Sequence, residues 1–439
     1  MTAGPKGLQA FRGSILHCLD DPDNSSSGDN VAFFEDGILL VENGHVAALA
    51  DAETLLPNLP DGLEIVDYTG RLILPGLIDT HVHFPQTDMI ASYGEQLLDW
   101  LEKYAFPAER RFADADHAAE VADFFLDELL RNGTTTALVL GTVHPQSVDA
   151  IFEAASAKNL RLAAGKVLMD RNCPEDLRDD PESAYHDSKA LIERWHRQGR
   201  LLYAITPRFA PTSTEAQLER TGQLAAEHPD TFLHSHLAEN KAECAWVAEL
   251  FPESRSYLDV YDRFGLLRER SVFAHCIHLD QTDRKRMAET GAAMAFCPSA
   301  NLFLGSGLFD LAAAKAEGAR VGLGTDVGAG TSFNLLRGLS EAYKILQLNG
   351  QKLAPFQALY LATLAGARAL HLDDKIGNFD TGKEADFVVL DWRSTPLLGR
   401  RTDAAQDHVE KLFALIMLGD DRAVFSTYIM GRCAYRRAP

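Results

Sequence analysis

An α/β fold is predicted for this chain: a (β/α)8 TIM barrel carrying a small β-sandwich domain formed by both termini. Three observations predict it. Short strand-like runs fill residues 8 to 68, eight apolar strand segments alternate with helical patterns from Leu72 onward, and strand-like runs return after Leu372. The bounds expected are 1–71 for the N-terminal part of the sandwich, 72–372 for the barrel and 373–439 for the C-terminal part.

The first runs are AFRGSILHCL, VAFFEDGILLVENGHVAALA and EIVDY, with DNSSSGDN as a polar loop among them. From Leu72 the rhythm changes. The barrel strands expected are LILPGLIDTHVHF, TTTALVL from Thr134, LAAGKVLM from Leu162, LLYAITPRF from Leu201, FLHSHLAE from Phe232, VFAHCIHL from Val272, AAMAFCPSA from Ala292 and ARVGLGTDVG from Ala319. Between them lie helical patterns such as HAAEVADFFLDELLRNG and VDAIFEAASAKN. Eight such units in series meet the requirement of a closed parallel barrel, whose chemistry sits at the carboxyl ends of the strands. After Leu372, DFVVLDW and AVFSTYIMGRCAYRR can pair with the N-terminal strands.

Composition removes several classes of function. With 439 residues, 46% hydrophobic and 9% aromatic, the chain can bury a large core and is not disordered. No apolar stretch reaches the ~20 residues that span a bilayer, so no membrane partner is expected. The N-terminus lacks the basic-then-apolar pattern of a secretory signal, which makes the cytoplasm the expected location. Six cysteines, at 18, 173, 244, 276, 297 and 433, have neither C-x-x-C spacing nor disulfide density and read as reduced thiols. A net charge of -21 without a Lys/Arg block opposes polymeric nucleic acid as a partner, so a nucleic-acid-derived substrate would be a small molecule.

His81 and His83 stand two apart on the first barrel strand. Residues i and i+2 of a strand share a side, so both imidazoles face inward and can hold one ion at ~2.0–2.1 Å. Alone, an H-x-H pair also suits two half-buried imidazoles with ordinary hydrogen bonds. Here it is accompanied: the fifth strand supplies His236 and Glu239, the sixth His275 and the eighth Asp326. Three imidazoles and a carboxylate at one rim suit Zn²⁺ or Fe²⁺ with a position left open for water. His234 and His278 read as core or rim groups. His17, His45, His117, His186, His196, His228, His371 and His408 read as surface groups, and His144 stays open. The glycines of VGLGTDVGAG lack dinucleotide-binding spacing and read as tight turns around Asp326. In EQLLDWLEKYAFPAERRF, the stripe Leu97, Leu98, Trp100, Leu101 and Tyr104 can cover the pocket or simply join the core.

These segments resemble the amidohydrolase superfamily over nearly the whole chain: GILLVENGHVAAL, LPGLIDTHVH, the histidines of strands five and six, the strand-eight aspartate and the closing GKEADFVVLD. Within it, HVHFPQTDMIASYGEQLLDWLEKYAFPAE, GKVLMDRNCP, TPRFAPTS, HSHLAEN and FNLLRGLSEAYK are similar to the branch that deaminates guanine. The resemblance implies that His81, His83, His236 and Asp326 bind one Zn²⁺ per subunit, with Fe²⁺ as the alternative. Two-metal members generally carry a bridging lysine at the end of strand four. This strand ends ITPRF, and Lys166, within strand three, reads as a packing or hydrogen-bonding residue.

The resemblance further implies attack at C2 of guanine, giving xanthine and ammonia. Its implied catalytic residues are Glu239, which shuttles protons to the purine, Asp326, which takes the water proton, and His275, which hydrogen-bonds water or substrate. For Glu239 the plain alternative is a charge at a helix N-terminus. Gln86, Arg208 and Phe209, with His236 and His275, are the implied substrate-binding residues: an amide donates and accepts, a guanidinium donates, and a ring stacks. A homodimer is also implied. Two alternatives remain open: a related mononuclear aminohydrolase or chlorohydrolase for another purine, a pterin or a triazine, and a binding or assembly protein on the same scaffold.

Overall fold

The computed structural model describes residues 7–24, 28–94 and 96–438, so residues 25–27 of the predicted DNSSSGDN loop lie outside them. Sixteen strands are formed among the described residues: β1 (Leu8–Cys18), β2 (Val31–Glu42), β3 (His45–Asp51), β4 (Ile65–Pro75), β5 (Leu77–His83), β6 (Thr134–Leu140), β7 (Arg161–Gly165), β8 (Val167–Leu168), β9 (Leu201–Pro207), β10 (Phe232–Leu237), β11 (Ser271–His275), β12 (Ala293–Phe296), β13 (Arg320–Leu323), β14 (Phe387–Leu390), β15 (Val424–Ile429) and β16 (Arg432–Arg436).

The predicted barrel is present. β5, β6, β7, β9, β10, β11, β12 and β13 lie side by side in that order, and β8 continues the β7 position against β9. Every pairing among them is parallel. Covered by helices outside and side chains inside, β5, β6, β7, β11 and β12 are buried along their full length, which is why they read as continuous apolar runs. Hydrogen bonds stitch the seam between β13 and β5: Thr80 Oγ1 donates to Leu323 O at 3.0 Å, Asp326 N to His81 O at 2.9 Å, and His83 N to Val327 O at 2.9 Å. Gly165 allows β7 to approach β9, since a Cβ there would stand 1.6 Å from Ala204 O.

The surrounding helices follow their caps and apolar stripes. Helix Ala115–Arg131 starts where the Asp114 side chain accepts from the backbone of Asp116 and His117, and it turns Val121, Phe125, Leu126 and Leu129 inward.

Strands of both termini join in one seven-stranded mixed sheet, ordered β16-β15-β14-β4-β1-β2-β3. Phe11, Phe387 and Tyr428 form its aromatic centre, with ring centroids 4.4–5.1 Å apart. The 71/72 boundary read from the sequence moves. Leu72–Pro75 ladders against β14 in the small domain, and the chain changes sheets at Gly76 within one apolar run. Nor does 373–439 belong wholly to the small domain: helix His408–Leu418 packs on barrel helix Leu335–Leu348, with the Phe413 and Tyr343 rings 5.1 Å apart. A buried ionic cluster joins the two domains. Arg161 Nε donates to Glu384 at 2.8 Å and Arg200 Nη2 to Glu384 at 2.6 Å, and Arg200 also pairs with Asp386.

His17, read from the sequence as a surface group, is 4% exposed and its Nδ1 accepts from Phe379 N at 3.2 Å. Burial pushes its pKa down to about 4. In the unfolded chain it titrates near ~6.5, so between those values the unfolded state binds more proton. Its contribution to stability is complete above pH 6.5 and is lost as pH falls toward 4, by on the order of 3 kcal/mol. His17→Asn keeps an acceptor but does not titrate. Calorimetry from pH 7 to 4.5 should show the variant losing melting temperature less steeply than the parent, and parallel curves would contradict this assignment.

Candidate active site

Four side chains from three strand ends converge at the carboxyl mouth of the barrel. His81 and His83 close β5, His236 lies in β10, and Asp326 sits three residues beyond β13. One ligand atom from each falls within 4.8 Å of all the others. His81 Nε2 and His83 Nε2 lie 3.1 and 3.3 Å from Asp326 Oδ1, and His83 Nε2 is 3.2 Å from His236 Nε2.

Bonds behind the ligands aim them. His236 Nδ1 donates to Arg208 O at 2.7 Å, and His81 Nδ1 is 2.7 Å from His234 Nε2. With Nδ1 as donor, each ring directs the Nε2 lone pair inward. His81 Nε2 is buried with no well-directed hydrogen-bond partner among the described residues, as an atom awaiting a metal would be. Burial lowers the pKa of His83 to about 4 and holds His81 and His236 below the ordinary range, so all three are neutral at pH 7, as nitrogen ligands must be. Burial acts to raise Asp326, but His81 and His83 beside it hold its carboxyl well below the usual value. Three neutral nitrogens and an anionic oxygen fit Zn²⁺ or Fe²⁺.

Beside this cluster, His275 Nε2 lies 3.3 Å from Glu239 Oε2 and 3.7 Å from Asp326 Oδ2, while Asn301 Oδ1 holds its Nδ1 at 2.9 Å. Ser306 Oγ donates to Glu239 Oε1 at 2.8 Å. Burial, with the charge of Asp326, raises Glu239 to about 8, so it carries a proton at neutral pH. Glu243 takes the backbone N–H groups of Glu239 and Asn240 at 2.9 and 3.0 Å. That capping box fixes where the chain leaves β10. Ala238, His275, Cys276 and Asp326 all adopt positive φ, between 50° and 70°. Non-glycine residues so placed cost about 1–3 kcal/mol each, and they cluster where a site needs a side chain turned against its backbone preference. Asp79 braces the floor: Oδ1 accepts from His81 N at 3.2 Å and Thr325 N at 3.0 Å.

A cavity opens onto these groups, walled by Gln86, Arg208, Phe209, Leu97, Trp100 and Leu101. Of the apolar stripe, Leu97, Trp100 and Leu101 cover the pocket while Leu98 and Tyr104 pack on the core, the chain passing through a π-helical turn at Leu101–Ala105 between short helices Leu97–Trp100 and Phe106–Glu109. The predicted tight turn is seen at Gly330, where a Cβ would meet Thr325 O at 1.8 Å. All the predicted ligands and substrate residues come together here. Sequence reasoning missed Glu109, Asn301, Ser306 and Glu243, and read His234 as a core or rim group without a part in the site, although its two-residue spacing from His236 signals the same face. Lys166 is buried against Asp179 and makes no part of the ligand cluster. His144 is partly buried before helix Pro145–Ala157, its Nε2 without a partner among the described residues. No described helix is long and apolar enough to cross a membrane.

Fold and site together define a hydrolase that works through a metal held at a barrel mouth. Comparison with known proteins agrees: the Amidohydrolase family model matches residues 72–433, and the chain belongs to that family. It is 53% identical over 440 residues to the guanine deaminase of Escherichia coli K12, covering 100% of both chains. The E. coli guanine deaminase structure superposes with a TM-score of 0.95, covering 98% of this chain and 100% of that one. A C. acetobutylicum guanine deaminase with bound guanine is 28% identical, with a TM-score of 0.87 over 98% of this chain and 100% of that one.

Proposed function

We propose that the chain is a zinc-dependent guanine deaminase, hydrolysing guanine to xanthine and ammonia. One observation carries this reading above the others: the Glu239 carboxyl faces the same cavity as the ligand cluster and the Gln86, Arg208 and Phe209 wall. His81, His83, His236 and Asp326 would hold the metal, Fe²⁺ being the alternative. When bound, a divalent ion supplies a hydroxide nucleophile near neutral pH by lowering the pKa of water to ~7.

The protein's own groups do the rest. Asp326 accepts the proton of the attacking water. Glu239 gives its proton to the purine ring as C2 becomes tetrahedral, takes the remaining proton of the new C2 hydroxyl and passes it to the departing nitrogen, so that ammonia leaves as the C2 carbonyl forms; the proton held by Asp326 then restores the Glu239 carboxyl. His275, fixed by Asn301, hydrogen-bonds the developing oxygen or the substrate. Arg208 and Gln86 read the polar edge of guanine, and Phe209 stacks on its face. Full-length similarity to a guanine deaminase supports this choice over pterin or triazine substrates. A homodimer in the cytoplasm belongs to the same proposal, and all six cysteines as unpaired thiols are in keeping with that compartment.

A substrate panel tests it. Guanine should exceed adenosine-like, pterin and triazine substrates in kcat/KM by about 10²-fold or more, because buried polar groups left unpaired reject analogues. Arg208→Ala should keep its metal and lose about 10-fold or more in kcat/KM for guanine. A pterin or triazine turned over faster than guanine would overturn the substrate assignment.

A further inference from the structure

We infer that Glu109 is the positioning residue of the substrate site: one buried carboxylate aims both Arg208 and Gln86 and cancels the arginine's charge, so that the pocket selects a neutral purine over an anionic one. The inference rests on the guanine reading above. Glu109 is 1% exposed, and it stands behind the cavity wall rather than in it. Its Oε2 accepts from Arg208 Nη1 at 2.5 Å, and its Oε1 from Gln86 Nε2 at 3.0 Å.

The other sides of both residues are held as well. Phe106, three residues before Glu109, places its ring 5.2 Å from Arg208 Cζ, and Gln86 Oε1 accepts from Gly328 N at 3.2 Å. Arg208 is thus clamped at one nitrogen and one face. Among the described residues no other side chain accepts a hydrogen bond from its guanidinium, and Arg208 lines the cavity. The Gln86 amide cannot rotate end for end without setting its oxygen against Glu109, so its orientation toward the purine is fixed.

Charge gives the arrangement its second consequence. A guanidinium alone in a buried pocket would attract anionic ligands strongly, whereas beside Glu109 the pair is neutral overall. Neutral guanine then binds through directed hydrogen bonds. A purine carrying a negative charge gains little from Arg208 and meets Glu109 behind it.

The test compares the parent with Glu109→Gln, measuring metal content, guanine kinetics and inhibition by urate, a monoanionic purine at neutral pH. Metal per chain is expected to be unchanged, KM for guanine to rise at least 10-fold with a smaller change in kcat, and urate inhibition to tighten at least 5-fold. Unchanged KM together with unchanged urate inhibition would overturn the inference. Should Glu109→Gln fold poorly, the double variant Glu109→Gln/Arg208→Met, which leaves no unpaired buried charge, is compared with Arg208→Met. If Glu109 acts through Arg208, adding its substitution should not tighten urate inhibition and should raise KM less than it does in the parent background. Fully additive effects would refute the coupling. A parent enzyme inactive on guanine would refute the substrate reading instead, and would be visible before any variant is made.

Discussion

Glu239→Gln should bind its full complement of metal, melt at the parent temperature, and turn over guanine about 10³-fold more slowly. The expectations share one cause. Glu239 stands outside the ligand cluster, so replacing it removes no ligand atom. Burial and the charge of Asp326 raise it to about 8, so at neutral pH the parent already carries a neutral carboxyl there. An amide of the same shape changes neither charge nor volume, and Ser306 can still donate to its oxygen. What the amide lacks is a proton to transfer. General acid–base catalysis contributes ~10²–10⁴-fold, and a 10³-fold loss corresponds to about 4 kcal/mol of barrier. Single-turnover kinetics with metal analysis on the same sample checks it. Turnover within 10-fold of the parent would remove Glu239 from the proton path and leave it as the helix-terminus charge its place in HSHLAEN also allows.

The parts of this site that were legible in the sequence are those tied to strand periodicity. His81 and His83 share a face because strands alternate, and His236, His275 and Asp326 could be placed because chemistry gathers where barrel strands end. The supporting groups follow no such rule. Glu109 reaches Arg208 across 99 positions and Gln86 across 23, from a short helix set by a π-helical turn that no periodicity announces. Asn301 and Ser306 lie in and just after the short helix that follows β12, where only the folded backbone shows that they face His275 and Glu239. The domain boundary slipped for a related reason. LILPGLI, at the start of LILPGLIDTHVHF, is apolar throughout, so the change of sheet at Gly76 leaves no mark on hydrophobic pattern. His17 was misplaced because a polar residue at the end of a strand looks exposed unless the packing of the other terminus is known.

Removing the metal should abolish turnover, lower the melting temperature, and be reversed by Zn²⁺ or Fe²⁺ but not by Mg²⁺. The ligand atoms of His81, His83, His236 and Asp326 come from segments up to 245 positions apart in sequence and meet within 4.8 Å only in the folded barrel. An unfolded chain offers no such site, so binding free energy adds to folding free energy, by about 4 kcal/mol when free metal stands at 1,000 times its Kd. Stripping it removes that contribution and leaves Asp326 held only by the imidazoles of His81 and His83. Mg²⁺ prefers an octahedron of oxygens and keeps its waters, so three nitrogens and one carboxylate serve it poorly. His83→Ala removes a ligand while leaving Glu239, Arg208 and Phe209 in place, and should reproduce the chelated state in activity and metal content while folding to the same barrel. Chelation followed by metal titration, read by calorimetry and guanine turnover together, decides the matter. Full activity in a rigorously metal-free sample would refute the hydrolytic assignment, whereas activity restored equally by Mg²⁺ would show that the nitrogen-rich cluster is not where the working ion sits.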